Sequence, residues 1–385
     1  MQNNQRSNMN RPALNQVRTS YNNRRRRKKS RVKVILSFIA KALALVFTLV
    51  FFVAVTLFVS LGMMFSDNNP YTQKILVPSL KETGNFAFLS SWFLPDEKIR
   101  EIEGMNSMED IKTEVNTSLI TVGKFESDGI VKDSIYRSND PIEIHEISSS
   151  TYYGTMMIVK DPSRVSLGTI YPWREVGVTL EELVKSSEAI GGINGGLYNS
   201  TNNTGGKPYG VIVSGGEIQM NEPKSWPGLV LVGLTNDNIL QIIDISDMGP
   251  DDITNLVAEK GIRDAVTFQD EINDANNHFV QLIINGEERG LNGMGSGLNP
   301  RTAIGQRADG ALLLFVTDGR GKSGHLGASA LDLITIMKEY GAVNAANLDG
   351  GSSSCMYYDN EYLMTSVTLY YSNSSWKLPA GFIVK

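Results

Sequence analysis

Two aspartates, each followed by a glycine, are the residues of this sequence best suited to do chemistry. Asp318 follows the apolar run "ALLLFVT", Asp349 follows "AVNAANL", and residues 329–340 between them have the apolar spacing of a helix. A strand, a helix and a strand in this order predict a crossover unit with both aspartates at one sheet edge, where α/β proteins bind ligands. Asp-Gly is also a common turn pair. One pair alone favours a turn, whereas two at one edge favour a carboxylate site.

Two arginines lie close to these aspartates or to a predicted strand. Arg320 lies two residues after Asp318, and Arg301 follows a proline in "NPRTAIG", directly before a strand. A guanidinium binds a carboxylate or a phosphate through two parallel hydrogen bonds. A structural arginine paired to a core acid has the same sequence signature, and for Arg301 both interpretations stay open.

A glycine-rich segment follows the helix that is predicted to begin at Thr179. It reads "GGINGGLYN" at residues 191–199, contains Asn194 and Tyr198, and is followed by "GGKPYG". Backbone without side chains forms flexible loops, but it also lines ligand sites. Both interpretations remain open for this segment.

Several segments together resemble, in order and spacing, the phosphodiester glycosidase family. They are "NGGLYN", "KPYG", "NPRTAIG", "DGR" and "GASALDLITIMKEYGAVNAANLDGGSSS". The resemblance covers roughly residues 150–385. It implies hydrolysis of the bond between the anomeric carbon of a sugar and a phosphate, which leaves a phosphomonoester on the other partner. Membrane-anchored bacterial members look like enzymes of surface-glycan or exopolysaccharide metabolism.

The implied reaction suggests roles for individual residues. Glycosidic cleavage passes through an oxocarbenium-like state that carboxylates stabilise, and a phosphate leaving group needs anion stabilisation. We expect Asp349 and Asp318 to stabilise the sugar cation or to activate water, and His325 to be either a proton carrier or a structural residue before the helix. Asn194 and Tyr198 are assigned to sugar hydroxyls, and the arginines to phosphate. The predicted binding residues are Arg301, Arg320, Asn194, Gly195, Gly196, Tyr198, Asn299, Thr302, Gly350, Gly351, Ser352, Ser353 and Lys377.

Two positions depart from the family pattern. Ser352 stands where a third glycine is common after "LDGG", and Lys377 in "WKLPAGFIVK" stands where an arginine is expected. Because an ammonium group cannot form the two parallel hydrogen bonds of a guanidinium, we expect altered phosphate recognition or a different substrate choice on that side.

Two other functions fit the same features. A membrane-anchored transferase that moves a glycan from a lipid phosphate to the cell wall needs the same arginines, and it would leave a phosphoglycan on an acceptor. A non-catalytic glycan-binding protein would keep the fold without turnover, and Lys377 is the main feature in its favour.

The amino-terminal segment predicts a membrane anchor. Residues 1–33 contain 11 Lys or Arg and no acid, whereas the other 352 residues carry 25 basic and 41 acidic side chains, a net charge of −16. The 24 residues from Ala42 to Phe65 carry no charge, and at about 1.5 Å per residue they exceed the roughly 30 Å hydrocarbon core of a bilayer. The basic residues orient the amino terminus towards the cytoplasm and the rest outside. We therefore predict no nucleic-acid partner for "RRRRKKSR".

Short apolar runs bounded by Gly, Asn, Asp or Pro recur from about residue 130 and predict many strands, interrupted by three helices. The predicted fold class is α+β, a mixed β-sheet domain with a few helices including one βαβ unit, preceded by a single transmembrane helix. The predicted domains are a basic cytoplasmic tail (1–33), a transmembrane anchor (34–65), an extracellular stalk or helical neck (66–129) and a phosphodiester glycosidase-like domain (130–385).

No cofactor or metal is predicted. The three histidines and the single cysteine, Cys355, lack the spacing of a zinc site, and the acidic segment at residues 268–277 lacks that of an EF-hand. One cysteine also excludes an intrachain disulfide. The predicted partners are a carbohydrate phosphodiester and the membrane, and the sequence makes no prediction of oligomeric state.

Overall fold

The structure is a computed structural model that describes residues 13–83, 86–109, 111–123, 140–271, 278–367 and 373–385. The chain divides into two compact units, residues 1–66 and residues 67–385. The predicted boundary at residue 130 lies outside the described residues. The segment predicted as a stalk or neck belongs, from Asp67 onward, to the same compact unit as the strands.

The first unit contains one long helix. Helix α1 (Ala13–Met64) has 52 residues, and its apolar side chains are exposed, with 74% of Phe47 accessible. Ser20–Met64 is the one helix of the described chain that is long and apolar enough to cross a membrane; a signal sequence near an amino terminus meets the same criteria. The orientation of the chain across a membrane stays a prediction.

The second unit has six α-helices and 19 strands among its described residues. The helices are α2 (Pro70–Glu82), α3 (Phe88–Phe93), α4 (Asp96–Gly104), α5 (Leu180–Ser186), α6 (Pro250–Lys260) and α7 (Ala330–Glu339). The strands are β1 (Ser107–Met108), β2 (Ile142–Ser148), β3 (Tyr153–Val159), β4 (Val165–Thr169), β5 (Gly191–Asn194), β6 (Gly210–Ser214), β7 (Glu217–Glu222), β8 (Leu229–Thr235), β9 (Leu240–Asp244), β10 (Ile262–Gln269), β11 (Gln281–Ile284), β12 (Glu287–Glu288), β13 (Leu291–Asn292), β14 (Thr302–Arg307), β15 (Leu312–Thr317), β16 (Ala342–Asn347), β17 (Met356–Tyr358), β18 (Glu361–Met364) and β19 (Ala380–Val384).

The three helices predicted in this region form, and local signals set their ends. Thr179 caps α5 and forms a capping box with Glu182, and Ser329 does the same for α7 with Asp332. Helix α6 ends at Gly261, whose φ of +62° is the left-handed conformation in which glycine costs least. The predicted α+β class is confirmed.

The strands form three large sheets, and all described pairings are antiparallel. The seven-stranded sheet has the order β12-β11-β16-β14-β15-β3-β2, and the two five-stranded sheets have the orders β7-β6-β10-β8-β9 and β18-β17-β5-β19-β4. Strand β1 pairs with β13 in a separate two-stranded sheet.

The predicted crossover unit is present in a split form. Strands β15 and β16, joined through α7, run parallel in one sheet, but β14 lies between them and is antiparallel to both. Only a short turn joins β14 to β15, which favours a hairpin over insertion elsewhere. Thr302 pairs with Val316, and Ala303 pairs with Asn347. The residues before β14 therefore meet the loops after β15 and β16 at one edge.

Strand β15 is buried on both faces, which explains its uninterrupted apolar run. Leu314 packs in a cluster with Val232 and Phe382 from the two other large sheets. Phe315 on the opposite face packs with Leu333 of α7. The carboxyl end of β15 is thus held between a helix layer and a sheet layer.

The helical segment before the strands is docked on the sheet-bearing part of the unit. Ser107 and Met108 of β1 pair with β13, and the Leu298 N–H donates to Ser79 Oγ of α2 at 2.8 Å. A Cβ at Gly297 would lie 2.5 Å from the Ser79 nitrogen. Helix α2 therefore packs directly against the backbone that leads into β14.

Candidate active site

The edge where β14 begins and β15 and β16 end borders a cavity of about 130 Å³, which we call the Asp349 cavity. It combines two arginines, two carboxylates, a histidine and two phenylalanines with amides and glycines. Its lining residues are Glu82, Phe268, His278, Phe279, Asn299, Arg301, Arg320, Asn347, Asp349, Gly350 and Gly351. Six of these 11 residues are among the predicted site residues.

Backbone hydrogen bonds hold Asp349 at the cavity wall. Its N–H donates to the Gly195 carbonyl at 3.3 Å, and its own carbonyl accepts from Asn194 Nδ2 at 2.6 Å. Two residues on, the Gly351 N–H donates to the Pro300 carbonyl at 2.8 Å. The loop is therefore fixed between the end of β5 and the residues that precede β14.

The carboxyl group of Asp349 is withdrawn from water. Burial raises its pKa from 3.8 to about 6, against the opposing effects of a hydrogen bond from Ser353, the nearby His278, the Gly350 N–H and Arg320. A carboxyl group with such a pKa is mostly ionised at neutral pH, and its proton affinity is close to what a general base needs. Asp349 is the described carboxylate whose environment best suits acid–base or nucleophilic work.

Two glycines keep space open around this loop. Gly351 has φ +61°, and a Cβ there would lie 2.6 Å from Arg320 Nη2. A Cβ at Gly196 would lie 2.3 Å from the carbonyl oxygen of Thr267. Side chains at these positions would displace the guanidinium or strand β10, so both predicted glycines act by their small size.

Arg301 is buried, and its guanidinium has structural partners. Its Nε donates to the Ala328 carbonyl at 3.1 Å, and its Nη2 donates to Glu82 Oε2 at 2.5 Å and to the Gly297 carbonyl at 2.8 Å. The guanidinium carbon lies 4.9 Å from the centroid of the Phe279 ring. Arg301 therefore forms the ion pair with a buried acid that the sequence left open, and it also lines the cavity.

Arg320 has a strained backbone and a side chain in the cavity. Its φ of +54° is uncommon for a residue with a Cβ. Nε donates to Asn299 Oδ1 at 3.2 Å, and Nη1 donates to Ser352 Oγ at 2.8 Å. Although the residue as a whole is exposed, loss of hydration at its guanidinium and repulsion by Arg301 lower its pKa. An anion in the cavity would relieve that repulsion.

His278 is a cavity residue that the sequence analysis missed. Its Nδ1 lies 2.8 Å from Gln269 Oε1, and Gln269 Nε2 donates to the Pro227 carbonyl at 3.0 Å. This orientation of the amide assigns the proton to Nδ1 and leaves Nε2 as the basic nitrogen of the neutral ring. No motif surrounds His278, and the only sequence signal is its place directly before the apolar run "FVQLII".

Four predicted binding residues lie behind the cavity wall. Asn194, Tyr198, Thr302 and Ser353 are buried, and none of them lines the cavity. Tyr198 Oη lies 2.9 Å from Ser353 Oγ, and Thr302 Oγ1 donates to Asn194 Oδ1 at 2.7 Å. Burial raises the pKa of Tyr198 well above its usual value. These side chains support Asp349 through Ser353 and the Asp349 carbonyl.

Three further predicted residues also lie outside the cavity lining. Asp318 accepts from the Tyr153 N–H at 2.8 Å and contacts His325 Nδ1 at 2.8 Å, and it is 3% exposed. Lys377 donates its backbone N–H to Asn203 Oδ1 at 2.8 Å. The structure therefore joins Asp349 with both arginines, while Asp318 and His325 form a separate pair.

No group of three or more His, Cys, Asp or Glu side chains is arranged to hold a metal ion in the described part of the chain. Cys355 is buried, and burial raises the pKa of its thiol far above the usual value. A thiol in this environment is a poor nucleophile, because the reactive form is the thiolate.

Solved structures of other proteins resemble part of this chain. The catalytic domain of zebrafish N-acetylglucosamine-1-phosphodiester alpha-N-acetylglucosaminidase, auto-inhibited by its pro-peptide, superposes with a TM-score of 0.48 at 20% identity over 63% of this chain and 81% of that one. A hypothetical protein from Synechocystis gives a TM-score of 0.39 at 17% identity, over 63% of this chain and 62% of that one.

A shorter match exists among curated proteins. The SPbeta prophage-derived uncharacterized protein YomE of Bacillus subtilis (strain 168) is 40% identical over 65 residues, which are 17% of this chain. The match spans 10% of that relative's length. The sequence profile of the phosphodiester glycosidase family matches residues 187–385, just over half of the chain, and the chain therefore belongs to the phosphodiester glycosidase family.

Proposed function

We propose that the unit formed by residues 67–385 hydrolyses the glycosidic bond between the anomeric carbon of a sugar and a phosphate. Membership of the phosphodiester glycosidase family supports a hydrolase that acts on phosphodiester-linked sugars. The observation that carries the finer proposal is the Asp349 cavity, in which a carboxyl group of raised pKa lies with Arg301 and Arg320.

Phosphate binding in this proposal falls mainly to Arg320. Its guanidinium is held at Nε and Nη1 by Asn299 and Ser352, so the head group is oriented before a ligand arrives. Arg301 adds a second positive charge from the buried side. The N–H groups of Gly351 and Ser353 already donate to the Pro300 and Gly350 carbonyls, so they hold the shape of the loop and leave the phosphate to the arginines. Lys377 lies outside this set.

The chemical step balances with water as the only co-reactant. A water oxygen bonds to the anomeric carbon, the bond from that carbon to the bridging oxygen breaks, and its electron pair stays on the phosphate. Ionised Asp349 either stabilises the developing sugar cation or accepts the proton of the attacking water. The products are a reducing sugar and a phosphomonoester, which is acidic enough to leave without strong protonation.

His278 and Asp318 take different parts in this proposal. The basic Nε2 of His278 lies on a ring that lines the cavity beside Asp349, so it suits transfer of the water proton to solvent. Asp318 and His325 tie the loop after β15 to Tyr153. Because that loop carries Arg320, we assign this pair to positioning the arginine.

We also propose that the unit works outside the cytoplasm on a surface glycan or exopolysaccharide. The support is the basic segment 1–33, most of which forms the first part of α1, and the excess of acidic residues after the helix. A carbohydrate phosphodiester is then the partner, and α1 anchors the enzyme next to its polymeric substrate.

Incubation of the full-length protein in detergent with a panel of anomeric sugar phosphodiesters tests the reaction. Reducing sugar and phosphomonoester should appear in equal amounts, and Asp349→Asn should lower the rate of both by at least about a hundredfold while the protein stays folded. A phosphoglycan on an added acceptor would instead identify a transferase. Binding of the glycan without turnover by the folded wild type would identify a binding protein, and either result contradicts hydrolysis.

A further inference from the structure

Glu82 is a cavity residue that comes from outside the family-matched region. It is the last residue of α2, and its side chain is 2% exposed. Oε2 contacts Arg301 Nη2 at 2.5 Å and accepts from Asn299 Nδ2 at 3.1 Å, while Oε1 accepts from the Gly297 N–H at 2.6 Å. A single carboxylate thus contacts both Arg301 and Asn299, which precede β14 and line the cavity.

Local energetics do not explain a buried glutamate at this place. The carboxyl end of a helix carries partial negative charge and favours cations, and a buried carboxylate loses its hydration. The compensation is tertiary, because the contacts with Arg301, Asn299 and the Gly297 N–H replace water. The fit of α2 against Gly297, which leaves no room for a Cβ there, holds the carboxylate in register.

The charges that face the cavity nearly cancel. Arg301 and Arg320 contribute two positive charges, Glu82 and Asp349 contribute up to two negative charges, and His278 adds a positive charge only when protonated. Because Glu82 is paired directly with Arg301, most of the attraction for an anion is left to Arg320. A phosphodiester carries one negative charge, whereas a phosphomonoester gains a second near pH 6.

We propose that Glu82, at the end of α2, is a specificity-determining residue, which sets the cavity charge to favour a singly charged phosphodiester over a doubly charged phosphomonoester. This inference rests on the proposed function, since it assumes that the cavity holds the substrate phosphate. Glu82 repels the second charge that the phosphate acquires when the sugar bond breaks. The buried pair of Glu82 and Arg301 then favours both binding of the singly charged substrate and release of the doubly charged product.

Equilibrium binding of two small probes separates this proposal from catalysis. Methyl phosphate and dimethyl phosphate differ in the second charge, and neither contains a glycosidic bond. At pH 8, Glu82→Gln in the full-length protein should lower the dissociation constant of methyl phosphate on the order of tenfold. The dissociation constant of dimethyl phosphate should fall by a clearly smaller factor, because one buried charge acts on two phosphate charges in the former and on one in the latter.

Glu103→Gln is the matched control. Glu103 lies on α4 and pairs with Lys81, the neighbour of Glu82 on α2, at 3.3 Å. The substitution removes one negative charge from the same helical segment without touching the cavity, so the ratio of the two dissociation constants should stay at the wild-type value. An unchanged ratio in Glu82→Gln, or an equal change in Glu103→Gln, overturns the proposal.

The pH dependence of the same ratio gives a second test. As pH rises from 5 to 8, the binding of methyl phosphate should weaken relative to that of dimethyl phosphate, because only methyl phosphate gains a second negative charge. Ionisation of Asp349 in this range also acts more strongly on the doubly charged probe, so the change of the ratio should be smaller in Glu82→Gln than in the wild type, and the difference between the two is the part due to Glu82. If methyl phosphate instead binds more tightly relative to dimethyl phosphate as pH rises, the role of Glu82 is refuted even if hydrolysis is intact. If neither probe binds, the phosphate site itself is refuted. If the ratio of the two dissociation constants changes as predicted but no sugar is released from any phosphodiester, the result contradicts hydrolysis and leaves the role of Glu82 standing.

Discussion

Asp318 and Asp349 occupy equivalent places in the sequence but different environments in the fold. Each is followed by glycine after a strand of the same sheet, and the two strands run parallel. The Asp318 carboxylate accepts from the Tyr153 N–H and contacts His325. The Asp349 carboxyl faces a cavity, and burial raises its pKa to about 6. One pattern thus gives a hydrogen-bonded structural contact at one site and a carboxyl group of raised pKa at the other.

The difference arises from the neighbours that the sheet supplies. Strand β3 lies beside β15 and presents the Tyr153 N–H to Asp318. The loop after β16 instead meets the residues before β14, where Arg301 enters, and the end of β5, where the Gly195 carbonyl accepts from the Asp349 N–H. Loss of hydration raises the pKa of a carboxyl group, and the second location combines that loss with two arginines at a cavity.

The largest expected effect comes from neutralising the two aspartates separately. Asp349→Asn should lower kcat for a sugar phosphodiester by about 10²–10⁴, the usual contribution of a positioned acid or base. Asp318→Asn should keep kcat within about tenfold and lower the free energy of unfolding by about 1–3 kcal/mol, since it weakens a buried hydrogen-bond pair. Steady-state kinetics and urea unfolding of both variants measure this. Equal losses of kcat would show that the two carboxylates act together.

The arginines should separate binding from stability. Arg320→Ala should reduce kcat/KM by about 10–100-fold, as expected for loss of a charged contact of about 1.5–3 kcal/mol, with little change in unfolding. Arg301→Ala should destabilise the protein by about 3–5 kcal/mol, because it leaves Glu82 as a buried unpaired charge. Arg301→Ala combined with Glu82→Gln should recover part of that loss. A double variant no more stable than the single one would contradict the ion pair.

The raised pKa of Asp349 predicts a pH dependence of stability. Its folded-state pKa of about 6 exceeds the value of 3.8 for an unperturbed carboxyl, so the folded state holds the proton more tightly than the unfolded chain. This contribution is fully present below about pH 4 and is lost as pH rises through about 6, with a total of up to about 3 kcal/mol. The free energies of unfolding of the wild type and of Asp349→Asn, measured with urea from pH 4 to 7, give this contribution as their difference. A difference that stays constant over this range would contradict the buried carboxyl.

The smallest expected effect is that of His325. If it only supports Asp318, His325→Gln should change kcat by less than about threefold and leave the pH profile in place, because no proton of the reaction passes through it. His278→Gln should shift that profile, since its ring lines the cavity. Rate profiles from pH 5 to 9 distinguish the two histidines. A profile altered by His325→Gln would restore it as a proton carrier.

Local signals predicted much of the fold correctly. Apolar periodicity and capping residues located α5, α6 and α7, because these depend on neighbours within a few residues. The crossover of β15 and β16 was correct in direction, while the insertion of β14 was missed. Strand order depends on pairing partners far apart in sequence, and a short apolar run does not name its partner.

The candidate site divides in the same way. Asp349, Gly351, Arg301 and Arg320 stand in short motifs of glycine, proline and charge, and the sequence places them together. His278 and Glu82 stand in no motif, and their segments reach the cavity only because β11 pairs with β16 and α2 packs against the residues before β14. Contacts over such separations leave no local pattern.

The sequence by itself determined the apolar amino-terminal helix, the α+β class, the family and the identity of the aspartates and arginines, because each is written in composition or in short-range spacing. The tertiary structure alone decided which aspartate faces a cavity, which arginine is already paired, and that Glu82 shares the site. Burial and the partners of a charge depend on the whole packed chain, and those two quantities set its reactivity.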